Sequence, residues 1–144
     1  MDTTTHTTDT AAGPARRLGR WQAGGLALLV AIAANLVILA IGTAADASFV
    51  VVDGGEPADV DAGVVVGATA IPLVLGFLVA ALVGRWRPGL VRPLAIVAAV
   101  LAVGSMVMPF AADTDSGTAA ALAVMHLVVG GAFLGGTEAA RTAV

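Results

Sequence analysis

Four polar side chains interrupt long apolar stretches of this chain: Asn35 in AANLVILAI, Thr69 in ATAIPLVLG, Ser105 in AVLAVGSMVM and His126 in LAVMHLVVG. Histidine is the side chain of this set able to move a proton in the physiological range. An ionisable group inside a membrane span is a functional candidate by default, for a proton, ligand or metal pathway. The plainer use is interhelical hydrogen bonding, in which His126 satisfies Asn35 or Ser105 at about 0.6–2 kcal/mol per interaction. Harder chemistry lacks partners. A metal needs several ligands, and no carboxylate or second histidine falls within these runs. Ser105 and His126 have no acidic third member to complete a hydrolytic triad. Cysteine is absent, which removes disulfides, thiolate metal sites and a thiol nucleophile. Phosphate-binding and dinucleotide-binding fingerprints are missing as well. The expectation is no enzyme, no metal and no cofactor.

The elements that must hold these residues follow from composition. Hydrophobic residues make up 58% of the 144 positions and charged residues 12%, and mean hydropathy is +0.96. A soluble domain is roughly 45–50% apolar and about 25% charged, and a chain this short cannot cover so much apolar surface with so few charges. Four apolar runs stand out, at about 23–42, 64–83, 93–110 and 118–136. Each has the ~17–25 residues that an α-helix needs to cross a bilayer. Barrel strands would be half as long and would alternate in polarity. The sequence therefore predicts an all-α, four-transmembrane-helix bundle over 22–137, after a disordered Thr-rich tail (1–21) and before a short tail (138–144).

Helical spacing places each polar residue on a small-residue face. Asn35 lies with Gly24, Ala31 and Gly42, Thr69 with Gly76 and Ala80, Ser105 with Ala98 and Ala102, and His126 with Ala119, Ala123 and Gly130. Small faces are where membrane helices approach one another, so all four polar groups are expected inside the bundle. At 1.5 Å per residue, His126 falls near mid-span and the other three in the outer half. Pro72 is expected to kink the second helix at that level. A G-x-x-x-G pattern at Gly131 and Gly135 is read as close packing within the monomer.

Charge supplies an orientation. Arg16, Arg17 and Arg20 precede the first run, Arg85, Arg87 and Arg92 fill the second connection, and Arg141 lies in the tail. The other two connections hold no basic residue and carry the carboxylates Asp46, Asp53, Glu56, Asp59, Asp61, Asp113 and Asp115. The positive-inside rule makes the arginine side cytoplasmic, with both termini inside, and Trp21 and Trp86 fall at that interface. A net charge of −3, with no basic cluster interleaved with aromatics, argues against nucleic acid.

The 44–63 connection has Val-rich flanks around a Gly/Pro turn and is expected to form a short hairpin. It lacks the ligand order of a calcium loop. Asp115 or Ser116 is expected to cap the fourth helix and to do nothing more. ADA at 45–47 after an apolar run also loosely fits a signal-peptide cleavage site, although that run exceeds the usual ~7–15 residues.

These features together resemble a family of small, four-helix actinobacterial membrane proteins of unknown function. The resemblance rests on AANLVILAI (33–41), ATAIPLVLG (68–76), Pro109 and LAVMHLVVG (122–130), and covers about 22–136. It implies the four-helix membrane fold and marks Asn35, Thr69, Pro72 and His126 as characteristic positions, with no activity attached. The expected role is a non-enzymatic packing or interaction component of the cell membrane. Its partners are the bilayer and either further copies of itself or another membrane protein. The alternative is a small oligomeric transporter with a polar path at His126 and Asn35.

Overall fold

A computed structural model of the chain describes residues 19–53 and 55–142. Arg16, Arg17 and nearly all of the 1–21 tail lie outside the described residues. Except in the third, the helices run further than the apolar runs. Helix α1 spans Arg20–Ala44, and a hairpin of β1 (Val50–Asp53) and β2 (Glu56–Asp59) follows it. Helix α2 spans Ala62–Trp86, and a single 3₁₀ turn at Pro88–Leu90 leads into α3, Val91–Ser105. A short α4 (Met108–Ala111) precedes α5, Ser116–Thr142. Counting α3 and α4 as one segment, four helices are long and apolar enough to cross a membrane. Helix formation carries on through 138–142, so the expected short tail is mostly helix.

The third span breaks where the sequence suggested continuity. Pro109 has no N–H to donate to the Ser105 carbonyl, and its ring crowds that carbonyl. The chain tightens instead, with Met106 N–H on the Val103 carbonyl at 3.2 Å and Val107 N–H on the Gly104 carbonyl at 3.4 Å. Pro109 then sits in the first turn of α4, where its missing donor costs nothing. Helix α2, by contrast, continues through Pro72 without interruption.

The hairpin forms, with a different second strand from the Val-rich one anticipated. Val50 pairs with Asp59 and Asp53 with Glu56, and Gly55 takes the positive φ of +92° that the tight turn requires. The valines at 64–66 belong to α2, because Asp61 Oδ1 accepts from the Val64 N–H at 2.8 Å and starts the helix there.

Helix α5 is the centre of the bundle. It packs against α1 on one side and α3 on the other, while α2 leans mainly on α1. Small residues set the spacing. A methyl group at Gly136 would lie 2.7 Å from Ala27 Cβ, and one at Gly130 would lie 2.8 Å from Ala102 Cβ. Gly76 lets the Phe133 ring approach α2, and Phe133 meets Phe77 at a centroid distance of 5.3 Å. Gly131 and Gly135 have nothing within contact range. The close approach inside the chain therefore uses their neighbours Gly130 and Gly136, and the G-x-x-x-G pair faces outward. Large apolar side chains such as Leu29, Ile41, Leu75, Leu82, Val100 and Leu101 cover the outer surface. A helix apolar on every side belongs in lipid or in a large core.

Candidate functional site

Helix α2 makes little contact with α3 beyond the turn that joins them. A cavity of about 740 Å³ opens between them, backed by α5. This volume is within the range of small-molecule sites, roughly 300–1,000 Å³. Asn35, Thr69, Pro72, Ser105 and His126 all line it, among walls of Val, Leu, Ala, Met and Phe. The small-residue faces explain this placement: Asn35 and Thr69 are buried together with Ala31, Leu73 and Ala80.

Within the cavity wall the four polar residues are bonded differently. Asn35 Nδ2 donates to Thr69 Oγ1 at 2.8 Å, joining α1 to α2. Ser105 Oγ donates to its own helix, at the Ala102 carbonyl 2.8 Å away. His126 Nδ1 lies 2.7 Å from the Leu122 carbonyl one turn earlier. A carbonyl only accepts, so Nδ1 is the donor in this pair. His126 therefore finds its partner within α5, rather than in Asn35 or Ser105 as the sequence suggested. A helical carbonyl one turn back is always within reach, whereas a cross-helix partner must be brought there by packing. Asn35 is 1% exposed, and among the described residues its Oδ1 has no hydrogen-bond partner. A buried acceptor left without a donor costs about 1–3 kcal/mol.

A second polar arrangement, at the N-terminal end of α5, is not one the sequence points to. Asp115 Oδ1 accepts from Thr118 N–H at 2.9 Å, which is the expected helix cap. Its Oδ2 accepts from Ser48 N–H at 3.1 Å, Ser48 Oγ at 2.6 Å and Thr118 Oγ1. The hydrogen bonds from the Ser48 and Thr118 side chains, with those from the backbone, hold this carboxyl well below the usual carboxylate range. Thr118 Oγ1 in turn accepts from Phe49 N–H at 2.8 Å. That contact helps to hold Phe49 at a φ of +51°, which a bulky residue rarely adopts. The Phe49 ring lies against Gly42, where a methyl group would come within 2.7 Å of it. Thr114 Oγ1 donates to the Val50 carbonyl at 2.6 Å, and Val52 N–H donates to the Asp113 carbonyl at 3.1 Å. The loop before α5 thus ties the hairpin down over the end of the bundle. The D-x-x-T spacing at 115–118 was a visible capping signal; nothing local pointed to Ser48, 67 residues away.

The basic residues gather at the other end. Arg20 starts α1, Arg85 and Arg87 end α2, Arg92 starts α3 and Arg141 ends α5. Arg92 Nε lies 3.5 Å from Glu138 Oε1, and Arg141 donates to Glu138 Oε2 at 2.7 Å. Trp21 and Trp86 are about three-quarters exposed there, at 73% and 74%. Among the described residues, no group of three or more His, Cys, Asp or Glu is placed to hold a metal ion.

The profile of the family of unknown function DUF6069 matches residues 15–142, nearly the whole chain, and the chain belongs to that family. No curated protein and no solved structure matches it.

Proposed function

We propose that this member of the DUF6069 family is a non-enzymatic, multi-pass component of a bacterial cytoplasmic membrane that holds an apolar small molecule between α2 and α3. One observation carries the reading: a cavity of about 740 Å³ with mostly apolar walls and a few polar side chains, Ser105 and His126 among them, opens between α2 and α3. A pocket with apolar walls and a few polar groups is the usual form of a ligand site. The arginines at one end and carboxylates at the other support an orientation with both termini in the cytoplasm. The scarcity of titratable groups along the spans supports a role without bond chemistry.

Native mass spectrometry of protein released from its own membranes tests this. Wild type is expected to retain a small molecule that Ala98→Trp, which fills the cavity, does not. An equal complement of bulk lipid on both would overturn the reading.

A small oligomeric transporter is the second reading, favoured by the place of the His126 imidazole in the lining of the same cavity as Asn35. It requires proton-dependent flux in liposomes that His126→Leu abolishes.

A further inference from the structure

The arginine end of the bundle carries a second hollow, which shares no lining residue with the α2–α3 gap. It holds about 420 Å³ where α1, α2 and α5 meet beside the Pro88–Leu90 turn. Its rim is basic. Arg20 from α1 and Arg141 from α5 both line it, and Trp21 stands beside Arg20, 73% exposed. Its floor is apolar, with Gly24, Phe77 and Ala80 deeper in the bundle. Phe77 lies nine positions inward from the end of α2 at Trp86, or about 13 Å along the helix axis. Gly24 contributes only backbone there, and even a methyl group would touch the Phe77 ring at 3.7 Å. The polar side chains of the lining are Arg20, Trp21, Thr137 and Arg141. The Thr137 hydroxyl donates to the Phe133 carbonyl at 2.6 Å. The other three offer donors and no acceptor.

The charge of this rim is not balanced by the chain. At this end of the described residues, Glu138 is the one carboxylate against Arg20, Arg85, Arg87, Arg92 and Arg141. It is already shared between Arg92 and Arg141. The Arg20 guanidinium has no ion pair among the described residues, and no Asp or Glu side chain lines the hollow. A guanidinium stays charged at any physiological pH, and its planar fork matches a phosphate. We propose that the hollow seats one anionic phospholipid, its phosphate between Arg20 and Arg141 and the start of an acyl chain against Phe77 and Ala80. Free phosphate would meet the same rim but would gain nothing from the apolar floor. A lipid with an ammonium headgroup would bring a cation to a place where the one carboxylate is taken. The site therefore selects a lipid whose headgroup carries no charge beyond its phosphate. Arginines that serve only to orient the chain would be interchangeable. A built site makes Arg20 and Arg141 differ from Arg85, which lines neither this hollow nor the gap.

Native mass spectrometry of the delipidated full chain in detergent tests this, with phosphatidylglycerol, phosphatidylethanolamine and inorganic phosphate as the added probes. Wild type is expected to take up one phosphatidylglycerol ahead of any phosphatidylethanolamine, and millimolar phosphate is expected not to displace it. Arg20→Gln should weaken the phosphatidylglycerol complex about fivefold, the effect of one arginine near a lipid surface, and Arg85→Gln should leave it within about twofold. Both variants remove the same charge from the same end, and only the first touches the hollow. Ala81→Leu, which narrows the hollow without changing charge, should weaken the complex as well. Equal weakening by Arg20→Gln and Arg85→Gln would show attraction to a basic surface in general. Equal affinity for the two lipids would show no selection by charge, and displacement by phosphate would show an anion site without a lipid. Each of these results overturns the proposal, as does a wild type that retains neither lipid. All of them leave the reading of the α2–α3 gap where Ala98→Trp puts it.

Discussion

Asn35 and Asp115 represent two ways in which a polar residue is held in this chain. Asn35 is sealed in, bonded through Nδ2 to Thr69 and, among the described residues, unsatisfied at Oδ1. A double-mutant cycle of Asn35→Leu and Thr69→Val, read by unfolding in lipid or detergent, should show a coupling of about 0.6–2 kcal/mol. The pair Asn35→Leu and His126→Leu should be close to additive, because His126 bonds its own helix. A large Asn35–His126 coupling would mean that the two touch. Asp115 is satisfied several times over and its pKa is lowered by Ser48 and Thr118. A carboxylate with a depressed folded pKa stabilises the fold fully above its unfolded value, about 4, and loses that contribution as pH falls through the folded value. The melting temperature of Asp115→Asn should therefore lie below wild type at neutral pH, and the gap should narrow once pH drops under about 4. A gap that stays constant with pH would show that the charge of Asp115 does not matter to the tether.

At the scale of elements, the helices are positioned by where side chains are missing. Gly130 admits Ala102 of α3, and Gly136 admits Ala27 of α1 and the Phe77 ring of α2. Gly130→Ala must push α3 away from α5, and overpacking of this kind costs about 1–3 kcal/mol. Gly131→Ala and Gly135→Ala meet open space, and should be neutral or stabilising by up to about 1 kcal/mol through helix propensity. Thermal unfolding of the three variants side by side checks this, and equal destabilisation by all three would contradict the packing. The break at Ser105–Val107 has the same local character. A proline four residues ahead removes one helical bond, and the serine hydroxyl competes for a carbonyl of the preceding turn.

For the whole molecule, the helices alternate in direction, so one end collects the arginines and the other the hairpin and its carboxylates. Under the proposed orientation, a cytoplasmic reporter fused after Val144 should be active, and an export-dependent reporter inserted at Gly55 should be active outside. Activity with the opposite pattern would reverse the topology. The order of packing also leaves α2 and α3 as the loosely joined pair, with α5 behind them, which gives the bundle a side opening rather than an axial one.

Much of this was legible in the chain itself. Four apolar runs of this length, each too long for a barrel strand, leave helices that satisfy their own backbone in a nonpolar setting. The segregation of arginine from carboxylate is linear in the sequence, and helical periodicity alone put Asn35, Thr69, Ser105 and His126 on faces rich in Gly and Ala. Periodicity tells which way a side chain points; it does not tell what it meets. The pairing of Asn35 with Thr69 rather than with His126, the choice of Gly130 and Gly136 over Gly131 and Gly135, and the reach of Asp115 to Ser48 each depend on how neighbouring helices are rotated and on contacts between positions far apart in the chain. The gap between α2 and α3 likewise follows from α5 taking the central place, and no local pattern records which of four similar apolar helices the others will surround.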